Sequence, residues 1–245
     1  MILFLTSSPC DDDIPKSAGI PCGLFRRNHF VENMKRYWKP DSRTLIISAF
    51  PDNYPADDEM ADTFYKAFAY HGLTMSRMEI LDNRTRDRAP DLIRESDMII
   101  LGGGHVPTEN AFFKEIGLRE LLTGYPGIIM GISAGTMNCA ETVYVQPELA
   151  GESLDPDFVK FTPGLGLTQY NVLPHYQMVR DNILDGRRLF EDITYPDSMG
   201  HTFYVLPDAS YIMEVNGRGI LYGQAWALTD GILKKICEDE TQIQL

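Results

Sequence analysis

A chain of 245 residues can bury a sizeable core, and its balance of 44% hydrophobic to 23% charged residues is that of a soluble globular protein. The formal net charge of −13, from 35 acidic against 22 basic side chains, argues against a surface for nucleic acid or an anionic membrane and leaves small molecules or peptides as partners. Cys10, Cys22, Cys139 and Cys237 are scattered without a CxxC pair or metal-type spacing, so they read as free thiols of a reducing compartment, and no metal or cofactor is implied.

Met1–Thr6 reads as the first strand. Its apolar part is too short for a signal-peptide core and lacks a basic flank, and no later stretch is long enough to span a membrane, so a cytoplasmic location is expected. Ser7–Arg27, with three Pro, two Gly, two Cys and three consecutive Asp, is long for a loop in a compact domain and could form a lid. Phe30, Val31, Met34 and Trp38 fall at helical spacing and predict a helix from about His29 to Trp38. Arg43–Ala49 is a buried-type strand. Pro55 opens a helix with Met60, Phe64, Ala67 and Phe68 on its apolar face, and Gly72 closes it. Leu73–Ile80 is a strand, Pro90–Ser96 a short helix and Met98–Leu101 a strand that Gly102-Gly103-Gly104 breaks abruptly. Pro107 starts the next helix, and the chain turns at Gly124 into the apolar run that begins at Gly127. Strand-like and helix-like segments alternating in this way predict one α/β domain over residues 1–245, a doubly wound, mostly parallel sheet with flanking helices.

The second half changes character. After Thr142–Val145 comes a polar, acidic loop through Pro163, then Leu167–Leu173 leading to Pro174-His175-Tyr176, and a helix predicted over Ile183–Ile193. From His201 onward the pattern is antiparallel, with strands at Phe203–Leu206, Tyr211–Val215, Ile220–Tyr222, Ala225–Leu228 and Ile232–Ile236. Asn216-Gly217 and Asp230-Gly231 supply hairpin turns. An edge strand near either terminus could pair with another subunit, a route to a homodimer.

The chemistry centres on Gly131-Ile132-Ser133-Ala134-Gly135. A short buried strand feeding a Gly-x-Ser-x-Gly turn, with small helix-compatible residues after it, is how an elbow presents a serine at the carboxyl edge of a sheet. Ser133 is therefore the candidate nucleophile, and it needs a base held in one tautomer by a carboxylate. Of the five histidines, His29 and His71 sit at helix ends, His201 begins an antiparallel strand, and His105 follows the glycine turn where it could touch a ligand. His175 follows a strand and a proline downstream of Ser133, which would place it at the same sheet edge as the elbow, and it is the candidate base. Glu141, Glu148, Glu152, Asp155 and Asp157 lie between the two, and Glu148, just beyond Val145, is the candidate orienting acid. Backbone donors for a developing oxyanion are expected from Ala134 and from Gly103 or Gly104. The short interval from Ser133 to His175 leaves little room for two further βα units, which disfavours a lipase-type hydrolase.

LGGGH at Leu101–His105, GISAGTMNCA at Gly131–Ala140 and LPHY at Leu173–Tyr176 resemble the dipeptidase E and cyanophycinase family of serine peptidases. The resemblance extends from the opening LTSSP through the YVLPDASYI and LYGQAWALTDG segments. It implies a fold similar to class I glutamine amidotransferases, a Ser133 nucleophile, a His175 base, Glu148 where dipeptidase E has aspartate, and an oxyanion hole from the glycine turn and Ala134. It further implies hydrolysis of a small peptide or isopeptide after aspartate. The substrate carboxylate would then need a cation. Arg187 and Arg188, and His105 beside the turn, are the candidate substrate-binding residues.

Overall fold

The computed structural model describes residues 1–245. Its main sheet has eight strands, in the order Gln242–Gln244, Arg218–Tyr222, Tyr211–Val215, Ile2–Thr6, Ile128–Ile132, Met98–Leu101, Ser42–Ile47, Met75–Leu81. The five from Ile2–Thr6 to Met75–Leu81 are parallel, and the other three add antiparallel to the Ile2–Thr6 side. Central parallel strands are buried on both faces, which is why they read as unbroken apolar runs. Alternate side chains feed two cores. Leu5, Ile47, Leu101 and Ile129 enter one layer, and Phe4, Ile46, Ile100 and Met130 the other.

A second sheet of four strands, Asn171–Leu173, Thr202–Val205, Ala225–Thr229 and Ile232–Cys237, packs beyond the main one. A third apolar cluster joins it to the helix Ala134–Asn138, with Ala134 and Met137 touching the same core as Leu173, Phe203 and Val205. The two sheets are thus held to the same short helix. No helix is long and apolar enough to cross a membrane.

Several local expectations need correction. Ile183–Ile193 is not one helix. Asp185 and Gly186 both take positive φ, at 53° and 79°, so Ile183–Leu184 and Arg187–Arg188 pair as a tight hairpin, and only Leu189–Thr194 is helical, in a wide π-type turn. Asp-Gly is the hairpin dipeptide, and its turn chemistry overrides the helical spacing of the apolar residues. The strand expected over Leu167–Leu173 is confined to Asn171–Leu173, and the first helix to Phe30–Lys35. The N-terminal strand lies inside the sheet, not at its edge. The Ser7–Arg27 segment is tied down. Cys10–Asp11 pairs with Gly23–Leu24, the Leu24 N–H donates to His71 Nε2 at 2.9 Å, and the Leu24 side chain is fully buried.

Glycine is required where the elbow helix crosses the sheet edge. A Cβ on Gly135 would overlap the carbonyl oxygens of Leu101 and Gly102, the latter at 2.6 Å, and a Cβ on Gly131 would lie 2.7 Å from the Thr136 backbone. Backbone atoms cannot rotate out of the way as a side chain can. Gly135→Ala is therefore expected to destabilise the fold by roughly 1–3 kcal/mol and to displace the Gly102–Gly104 turn. Urea denaturation of the variant beside the parent measures the loss.

Candidate active site

Register decides which residues meet. Thr6 is level with Ile132, and Leu101 with Gly131, so the three parallel strands end together and release Ser7, Gly102 and Ser133 side by side. The Ser133 N–H donates to the carbonyls of Thr6 and Ser7 at 3.2 and 3.1 Å. Ser133 itself is held at φ 51°, ψ −111°, a sparsely populated conformation that costs on the order of 1–3 kcal/mol. Its neighbours enforce it. The Met137 N–H returns to the Ser133 carbonyl, the Gly135 N–H goes to the Gly102 carbonyl, and the Thr136 hydroxyl donates to the Thr6 carbonyl at 2.8 Å. The serine is half-buried, with its side chain carried on the turn rather than in the core.

Backbone donors surround it. The Ala134 amide opens the helix ahead of its first internal bond, and the amides of Gly103 and Gly104 donate to no backbone carbonyl. A Cβ on Gly103 would stand 3.5 Å from the Ser133 Cβ, so bare backbone lies directly against the serine. At Gly104 a Cβ would strike the Phe50 ring and Ala49, which fixes glycine there as well.

The second sheet brings an imidazole and a carboxylate together in the same way. Asn171–Leu173 and Thr202–Val205 are parallel, with Leu173 level with Val205, and their exits Leu173-Pro174-His175 and Leu206-Pro207-Asp208 run alongside each other. His175 Nδ1 and Asp208 Oδ1 are 2.8 Å apart. A carboxylate can only accept here, so Nδ1 carries the proton and Nε2 is left as the free nitrogen. The Ser7 hydroxyl donates to the same Asp208 oxygen at 2.7 Å, and Gln177 Nε2 donates to Oδ2 at 2.6 Å. Burial alone would raise the Asp208 carboxyl, but the bonds from His175, Ser7 and Gln177 outweigh it and hold the group below the ordinary carboxylate range.

Glu148, the acid expected from the sequence, makes no hydrogen bond to His175 in this structure. The Nδ1 proton is already taken by the Asp208 carboxylate. Glu148 is an exposed residue of the loop beyond Tyr144, but loss of hydration still pushes its carboxyl up, against the attraction of His105 and His175. Sequence reasoning passed over Asp208 because it sought the acid between Ser133 and His175. The repeated strand exit, Leu-Pro-His and Leu-Pro-Asp, was the available signal.

His105 Nε2 lies 3.0 Å from Glu152 Oε1, and its Nδ1 is 2.8 Å from the Thr108 hydroxyl. His105 and Glu152 border a cavity of about 470 Å³ that also meets Asp155, Asp157 and Lys114. Arg188 binds Asp192 at 2.7 Å, and Arg187 donates to the carbonyls of Ser153 and Asp192, so both guanidinium groups are engaged within their own hairpin and the loop facing it. A cavity of about 650 Å³, lined in part by Glu141, Thr168 and Glu214, lies at the opposite end of the sheet, where Glu214 pairs with Leu3. It is remote from Ser133 and plays no part in the site.

Behind the elbow, Asn138 donates to the carbonyl of Val106 and to Glu109 Oε2, and accepts from Asn110 Nδ2 at 2.9 Å. Glu109 is fully buried with one oxygen unpartnered, and burial pushes its carboxyl well above the ordinary value despite the Asn138 bond. A carboxyl raised on folding stabilises the fold below the ordinary glutamate range and loses that contribution as pH rises toward its folded value.

The strained serine at the strand-to-helix elbow is bordered by free amides, and Ser7, whose carbonyl accepts the Ser133 N–H, binds the Asp208 carboxylate and the His175 backbone through its hydroxyl. The sequence model of peptidase family S51 matches residues 50–219, and the chain belongs to that family, which makes it a serine peptidase. The crystal structure of a protein from Listeria monocytogenes EGD-e assigned as a peptidase E is similar, with a TM-score of 0.56 and 17% identity over 96% of this chain and 98% of that one. At that identity the likeness is one of fold. No curated protein matches in sequence.

Glu109→Gln keeps an acceptor for Asn138 and removes the ionisable group. The parent should lose urea resistance as pH rises above the ordinary glutamate range, by an increment that the variant lacks, as paired denaturation curves would record.

Proposed function

We propose that the protein hydrolyses small peptides or isopeptides through an acyl-enzyme on Ser133, with His175 as base and Asp208 as the acid that orients it. The observation that carries this reading is the His175–Asp208 pair at 2.8 Å, joined to the strained serine through Ser7, whose hydroxyl binds Asp208 and whose carbonyl accepts the Ser133 N–H. His175 Nε2 takes the Ser133 proton as Oγ attacks the scissile carbonyl. The amides of Ala134 and the Gly103–Gly104 turn receive the negative charge that develops on the carbonyl oxygen. His175 then passes its proton to the departing amine, and water, activated by the same nitrogen, releases the acyl group.

The substrate side combines two features. The resemblance to enzymes that cleave after aspartate supports an acidic residue at the acyl position, with His105 as the neighbouring group able to carry positive charge. The acidic loop bearing Glu148, Glu152, Asp155 and Asp157, partly lining the cavity beside His105, favours a basic leaving group or a substrate ammonium. An aspartyl bond to a basic residue satisfies both, and Glu148 is assigned here to the ammonium side.

Amine release from Asp-Xaa, Glu-Xaa and neutral dipeptides and from an aspartate–arginine isopeptide tests the reading. One acidic class should turn over, Ser133→Ala should lose at least about 10⁴-fold in kcat, and neutral dipeptides cleaved as fast as acidic ones would remove the acidic preference. The two carboxylates are separable. Asp208→Asn should cost roughly 10³–10⁴-fold in kcat, whereas Glu148→Gln should act mainly on KM. Steady-state kinetics showing the reverse pattern would return the orienting role to Glu148.

A further inference from the structure

Ser7, the residue that leaves the central strand Ile2–Thr6, is fully buried and touches all three groups of the proposed catalytic unit. Its hydroxyl donates to Asp208 Oδ1 at 2.7 Å and accepts the backbone N–H of His175 at 2.7 Å. Its carbonyl accepts the backbone N–H of Ser133 at 3.1 Å. A hydroxyl has one proton to give, and His175 Nδ1 stands farther away, at 3.5 Å, so that proton belongs to Asp208. Full burial also excludes Ser7 as a rival nucleophile, because substrate cannot reach it.

The position matters because nucleophile and base come from different sheets. Ser133 rides on the eight-stranded sheet, His175 follows a strand of the four-stranded one, and Asp208 lies in the connection that runs from that sheet back to Tyr211–Val215 of the first. Other contacts at this junction, Ser7 N–H to the Ser210 carbonyl and Ala209 N–H to the Ser8 carbonyl, are long at 3.5 and 3.4 Å. The two bonds of the Ser7 hydroxyl are shorter, at 2.7 Å each.

We infer that Ser7 is a positioning residue for acyl transfer, whose hydroxyl locks the Asp208 carboxylate and the His175 backbone in register with Ser133. The inference rests on the Ser133–His175–Asp208 reading given above. The titratable groups facing His175 are Asp208 and Glu148, and those facing Asp208 are His175 together with the neutral Ser7 and Gln177. Without the Ser7 proton, Asp208 accepts more strongly from His175 and favours the charged imidazolium. The base then becomes available only at higher pH.

Ser7→Ala is measured against the parent on the best peptide of the panel, with kcat, KM, the pH profile of kcat/KM and the low-field proton resonance of His175 Nδ1–H as readouts. That resonance is assigned by its absence in His175→Asn, and it needs no substrate. The expected result is a kcat roughly 10–100-fold lower, KM within about threefold, the acidic limb moved to higher pH, and a weakened or broadened Nδ1–H signal. Ser7→Cys, nearly isosteric and a weak donor, should fall between the two, and it carries the same readouts should the alanine chain not fold. A kcat within about twofold of the parent, or a loss of kcat with neither the acidic limb nor the Nδ1–H signal altered, would overturn the inference and leave Ser7 a packing residue. A parent that cleaves no peptide and gives no low-field signal would instead overturn the catalytic reading, and this inference with it.

Discussion

Everything at the site depends on the register of parallel strands. Because Thr6 pairs level with Ile132 and Leu101 with Gly131, the strand exits align along one edge, and Ser7, Gly102 and Ser133 become neighbours despite their distance in sequence. A slip of one residue in any of these pairings would turn every side chain of that strand to the opposite face. The apolar burial on both faces of Ile2–Thr6, Met98–Leu101 and Ile128–Ile132 opposes such a slip. Stability of the sheet and geometry of the site are therefore one constraint, and glycine at positions 131 and 135 lets the elbow helix sit close enough to enforce it.

The same device is used twice. In the second sheet, Leu173 pairs with Val205, and the parallel strands release His175 and Asp208 together. The helix Ala134–Asn138 touches both systems, packing Ala134 and Met137 against Leu173, Phe203 and Val205 while its first turn carries the serine. The conformational strain at Ser133 is tolerated because hydrogen bonds from two strands and an apolar cluster over-determine it. A rigid scaffold of this kind suits acyl transfer, in which donors must already point at the place where charge will develop.

Much of this was legible in the sequence. Buried parallel strands announce themselves as unbroken apolar runs, and the Gly-x-Ser-x-Gly turn and the three glycines after Leu101 each carry a steric meaning that survives without coordinates. His175 was expected at the same sheet edge as the elbow, but the strand it follows belongs to the four-stranded sheet, because Asn171–Leu173 pairs with Thr202–Val205 and not with the main sheet. Asp208 was not legible, because the repeated Leu-Pro exit that points to it acquires meaning only through the parallel pairing of two short strands, Asn171–Leu173 and Thr202–Val205, which is a long-range fact. Ser7 was read as the first residue of a loop, and its role exists only through contacts made far along the chain. The hairpin at Asp185-Gly186 was missed for a different reason. Its turn dipeptide was present, but apolar spacing across it imitated a helix.

The central claim is that Ser133 is an activated nucleophile oriented by a histidine and an aspartate that follow strands of the other sheet. It is tested most directly by treating the folded protein with a fluorophosphonate and mapping the adduct by peptide mass spectrometry. The account predicts one adduct, on Ser133, formed at a rate that falls sharply when His175 or Asp208 is replaced. An adduct on another serine, or none at all on a protein whose fold is intact, would contradict it.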